Sequence, residues 1–123
     1  MLVLCGMATD HRKLEAFRLA DDFVLRVYEN THGFPVAERY GLQSQTRRAA
    51  VSIATNIVEG CGRDSDREHS RFFEMAFASC REAIYLIDLS SRLKFMDPKV
   101  SADAALFGGR VAAALAALRK SIG

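Results

Sequence analysis

The chain has 123 residues, half of them apolar and 26% charged. That composition suits one globular domain and excludes a disordered or fibrous chain. A formal charge of +2 is too small to identify a nucleic-acid binder by charge alone, and three cysteines, Cys5, Cys61 and Cys80, with no CxxC pair, argue against a disulfide framework and for a reducing cytoplasm.

The opening run, Met1 to Met7, is apolar but has no basic residue before it. It is too short for a signal peptide with proper flanks and far too short to cross a bilayer. Residues 1–11 are expected to form a flexible N-terminal extension, with Met7 an alternative start, and residues 12–123 a single helical domain without membrane association.

The first helix is predicted from about Arg12 to Thr31. Leu14, Phe17, Ala20, Phe23, Val24, Val27 and Tyr28 recur at steps of three and four. Asp10 or Thr9 can cap its start, and Gly33 can take the left-handed conformation after its last turn. Pro35 to Gly41 reads as one turn followed by a bend at Gly41.

The second helix is predicted from Leu42 to Glu59, ended by Gly60 and Gly62. Its apolar residues do not form one narrow stripe. Ala50, Ala54 and Ile57 face one way, whereas Val51 and Val58 point to the side. Such width predicts burial on two sides, one inside the subunit and one against a neighbour.

Ser65-Asp66-Arg67-Glu68 is a capping box, so a third helix starts near Asp66 and runs to about Phe95. Phe72, Ala76, Ser79, Cys80, Ala83, Leu86 and Ile87 line one face, flanked by Phe73, Phe77 and Ile84. Asp97-Pro98 supplies an N-cap and a first helical residue for a fourth helix, Pro98 to Ser121. Within it, Gly108-Gly109 marks either a close helix contact or a weak point. Four helices with short links predict an all-α, antiparallel up-and-down four-helix bundle.

Catalytic and metal motifs are not evident. His11, His32 and His69 lie far apart, read as scattered surface histidines, and match neither HExxH nor the Glu-x-x-His pattern of bundle di-iron sites. Neither a metal, a cofactor nor an enzymatic activity is expected. The glycines around Cys61 follow a helix, not a strand, so they read as a turn and not as a phosphate loop. The first amides of the third helix, with Arg63 and Arg67, could still hold an anion. Cys61, near Arg63, could favour its thiolate somewhat, although an ordinary free thiol is the simpler reading.

Two polar sets stand out. Gln45, Arg48, Ser52, Asn56 and Glu59 line one face of the second helix. Of these, Gln45, Ser52, Asn56 and Glu59, with Glu74, form a candidate structural polar network fixing helix register. Arg39, Arg47, Arg48 and Arg63 form a candidate nucleic-acid-binding set. The competing reading pairs these arginines with Glu38, Glu59 and Glu74 across helices.

The ordered runs Thr31-His-Gly-Phe-Pro35, Glu38-Arg-Tyr-Gly-Leu42, Gln45-Thr-Arg-Arg-Ala-Ala-Val-Ser-Ile53, Asn56-Ile-Val-Glu-Gly60 and Gly62-Arg63, continuing through Glu68, Phe72, Ala76, Ser79 and Glu82, resemble the four-helix bundle family of 23S rRNA intervening-sequence proteins. Ala54 stands where that family commonly has proline, which implies a straighter helix. The resemblance implies an antiparallel bundle, assembly as a homopentamer, no established enzyme activity and an association with RNA or DNA. It extends to the accessory variability determinant of diversity-generating retroelements, a basic pentamer that binds a reverse transcriptase and nucleic acid. A pentamer of such chains would carry a charge of about +10. Two other readings are a purely protein-interaction module and a small-molecule binder near Asn56, Glu59 and Arg63.

Overall fold

The structure is a computed structural model and describes residues 7–122. Cys5, the choice between Met1 and Met7 as start, and the first six residues of the expected extension lie outside the described residues. Four helices carry the fold: α1 Glu15–Asn30, α2 Leu42–Cys61, α3 Asp66–Arg92 and α4 Pro98–Ser121. Short 3-10 turns at His11–Lys13 and Val36–Glu38 precede α1 and α2. Among the described residues there is no strand. The described residues therefore form an all-α, four-helix structure, as the periodicity predicts.

Each helix packs on two others, α1 and α3 both lying against α2 and α4. The enclosed core is built from Phe23, Val27, Ile53, Ile57, Phe73, Ile87, Val111 and Leu115, all sealed from solvent. Phe23 of α1 and Phe107 of α4 stack at 6.2 Å between centroids. Burying a side chain of this size is worth about 1.5–3 kcal/mol.

Helix starts follow their local signals. Ser65 Oγ accepts the Glu68 amide at 3.2 Å, while the Glu68 carboxylate turns to Arg71, also at 3.2 Å. Asp97 Oδ1 accepts the amides of Lys99 and Val100 at 2.8 and 3.4 Å. The start of α1 differs from expectation. Asp10 caps the 3-10 turn His11–Lys13, and α1 begins after an extended Leu14. The turn is fixed by Arg12, whose guanidinium hydrogen-bonds Asp10 at 3.0 and 2.9 Å and, with its own amide, holds that carboxyl down to about 2. Just before it, the Thr9 amide donates to the Cys61 carbonyl at 2.9 Å.

Several glycines act differently from the sequence reading. Gly33 does not take the left-handed conformation. Gly60 does not end α2 but lies inside it, where a Cβ would come within 2.7 Å of Phe73 Cε1. Its bare Cα lets the aromatic ring of α3 lie against the backbone of α2. Gly62 follows the helix with φ −80, an ordinary right-handed value. Of the pair in α4, Gly108 is the close contact, 2.7 Å from Ile84 Cγ1 by the same construction, and Gly109 is open.

Helix α3 ends at Arg92, earlier than expected. Lys94 takes φ 66, its amide donates to Ser91, and the Phe95 amide donates to Ser90 at 2.9 Å. This is a Schellman termination with lysine in the position that favours glycine. Phe95 then turns back against Phe34 of the α1–α2 link, with centroids 5.9 Å apart.

Candidate nucleic-acid interface

The α1–α2 link is held from both sides. Thr31, fully buried, donates its hydroxyl to the Val27 carbonyl at 2.8 Å. Arg47, reaching across from α2, donates Nε to Thr31 Oγ1 at 2.9 Å and a terminal nitrogen to the Tyr28 carbonyl at 3.3 Å. Gln43 Nε2 donates to the Thr31 carbonyl at 2.8 Å. No basic residue lies in the last turn of α1, so Arg47 supplies the positive charge that its carbonyl end favours.

Glu38 completes the link. Its Oε1 accepts the Leu42 amide at 2.9 Å, which satisfies one of the orphan donors at the start of α2. A Cβ at Gly41 would meet that carboxylate at 2.8 Å, so glycine there makes room for the cap. The expected pairing of Glu38 with an arginine is thus replaced by a backbone cap.

The four candidate arginines separate into two groups. Arg39 and Arg48 are exposed, and neither forms an ion pair among the described residues. Arg47 is committed to the α1 terminus and lies over the Tyr28 ring at 4.5 Å. Arg63 follows the other end of α2, sixteen residues and roughly 24 Å of helix away from Arg47. It pairs with Glu59 one turn back at 3.6 Å and lies over Phe72 at 4.8 Å. Residue type groups these four arginines, but the fold does not join Arg63 to the rest.

The polar network is smaller than expected. Ser52 of α2 and Ser79 of α3 share a hydrogen bond at 2.9 Å, and Asn56 Nδ2 donates to the Ser52 carbonyl and hydroxyl at 2.8 and 3.1 Å. These three form one half-buried cluster between α2 and α3. Gln45 and Glu59 lie exposed. Glu74, also exposed, pairs with Arg119 of α4 at 3.5 Å.

At the α2–α3 link, His69 is fully buried, contrary to its reading as a surface histidine. A carbonyl only accepts, so Nε2–H donates to the Arg63 carbonyl at 2.7 Å. The ring stacks on Phe73 at 6.3 Å, and Nδ1 lies 3.8 Å from Asp66. The terminus of α3 is served by its own chain, with Ser65 as cap and Asp66 and Glu68 in the first turn. These carboxylates oppose an added anion. Cys61 is buried, and burial, with the Asp10 carboxylate, pushes its thiol up to about 11. Burial therefore favours the protonated thiol at neutral pH, in keeping with an ordinary free thiol.

Residues 12–107, a span from the 3-10 turn before α1 into α4, match the family described as 23S rRNA-intervening sequence protein. The chain belongs to that family. No curated protein matches it. In this family member Thr31, Phe34, Glu38, Gly41 and Arg47 have structural duties at the α1–α2 link, and Gly60 admits Phe73 at the far end of α2. The arginines left over by those duties on the α1–α2 side are Arg39 and Arg48.

Proposed function

We propose that this family member is a non-enzymatic, cytoplasmic, oligomeric binding or scaffold protein, associated with nucleic acid or with a nucleic-acid enzyme such as a reverse transcriptase. Membership of the 23S rRNA-intervening sequence protein family carries this reading. In it, the helices alternate up and down as an antiparallel bundle and the chain assembles as a homopentamer. Short links and the contacts of Arg47 with Thr31, Ser101 with Ile87, and Arg119 with Glu74 support alternation.

Assembly is supported by surface left uncovered in one chain. Helix α4 is long and apolar enough to cross a membrane by length and composition, yet only a third of that window is buried, and Leu106 is 73% exposed. Val58 of α2 and Met75 of α3 are also exposed. Apolar area of this extent is covered by a neighbouring subunit in the proposed ring. Arg39 and Arg48 then recur with each subunit and supply the phosphate contacts.

Light-scattering mass at low salt, with and without a short RNA or DNA duplex, tests the reading. The expected result is a mass near five subunits that rises with nucleic acid, with affinity falling steeply as salt increases. A monomer indifferent to nucleic acid would overturn it.

A further inference from the structure

The α1–α2 link presents an aromatic ring to solvent without any structural need for it. Tyr40 is 90% exposed and Val36, four residues earlier, 79%. Their neighbours are accounted for: Phe34 is in the core, Glu38 caps α2 and Leu42 is buried. Single exposed apolar residues are ordinary. Here an aromatic and an aliphatic side chain share one tight turn beside an arginine that forms no ion pair among the described residues.

The turn is rigid. The Glu38 amide donates to the Pro35 carbonyl, Arg39 to Val36 and Gly41 to Glu38, at 2.9, 3.1 and 3.0 Å. The Glu38 carboxylate, the nearest negative charge in sequence, is turned onto the Leu42 amide. Glu29, exposed at the end of α1, is the carboxylate on the other side of the junction. Against it stand Arg39, Arg47 and Arg48, and Arg47 already lies on a second, half-exposed ring, Tyr28.

The geometry points to this link as a stacking platform for unpaired bases of a single-stranded nucleic acid, with Tyr40 carrying a base and Arg39 and Arg48 its flanking phosphates. This rests on the proposed nucleic-acid association and names the form of nucleic acid. A duplex hides its base faces and offers only phosphates to such a surface. A single strand offers both faces and phosphates, and stacking of a base on an exposed aromatic ring works with any base because each has a π-face.

Anisotropy of a labelled oligo-dT and of a duplex of equal length, at low salt, tests the platform. The native protein is expected to prefer the single strand. Tyr40→Ala should weaken oligo-dT binding roughly tenfold or more and leave duplex binding unchanged. Because the chain has no tryptophan, Tyr40→Trp introduces a single indole, which should keep the affinity and be quenched by oligo-dT. If Tyr40→Ala binds oligo-dT like the native protein, or the indole is not quenched on binding, the platform is overturned while the nucleic-acid reading stands. If neither nucleic acid binds, both fall. An unchanged oligomer mass and helical circular dichroism would show that the variants fold.

Discussion

Arg47 Nε lies 2.9 Å from Thr31 Oγ1, and with the bonds from Arg47 to the Tyr28 carbonyl and from Gln43 to the Thr31 carbonyl it ties the end of α1 to the first turns of α2. Thr31 is buried, so removing its hydroxyl leaves a donor without its acceptor. Thr31→Val should cost about 1–3 kcal/mol, read from urea unfolding. Arg47→Lys should recover little of the loss caused by Arg47→Ala, because an ammonium lacks the planar fork that reaches Thr31 and Tyr28 together.

Adjacent glycines in α4 should respond with opposite signs. Gly108→Ala drives a methyl into Ile84 and toward Phe23, at 2.7 and 3.3 Å, and should destabilise by about 1–3 kcal/mol. Gly109→Ala meets nothing within 4 Å and should stabilise by up to about 1 kcal/mol through helix propensity. Gly60→Ala should behave like Gly108→Ala. Thermal melts of the three variants check the order.

Lys94 holds a left-handed conformation, φ 66, which costs a side chain roughly 1–2 kcal/mol. Glycine relieves that cost but widens the unfolded ensemble. Lys94→Gly should therefore raise stability by about 1 kcal/mol, whereas Lys94→Val should lower it. Chemical denaturation distinguishes the two.

The buried thiols set an alkaline limit. Burial raises Cys61 and Cys80 from 9.0 to about 11. Between those values the unfolded chain has lost protons that the folded chain keeps, so stability falls as pH rises above about 9, and these thiols add no further loss above about 11. Below 9 they add no pH dependence. Cys61→Ala and Cys80→Ser variants should each flatten the alkaline decline in unfolding free energy. Site-resolved alkylation at neutral pH should be slow at both positions until urea unfolds the protein.

Much of the fold was legible because its signals are local. The Ser65 and Asp97 caps, Pro98 at the first turn, and the three-and-four spacing of Phe23, Val27, Ile53 and Ile57 act within a few residues, so sequence alone placed four helices and their core faces. The sequence also carried the family, through the ordered runs from Thr31 onward.

What only tertiary structure decided depends on neighbours distant in the chain. Gly60 reads as a terminator, yet it is glycine because Phe73 lies against it. His69 reads as a surface residue, yet the Arg63 carbonyl and Phe73 draw it inside. Arg47 and Arg48 are adjacent and chemically alike, but about 100° of helical rotation separates them. That rotation turns Arg47 to the end of α1 and leaves Arg48 in solvent, a distinction made by helix packing and not by residue type.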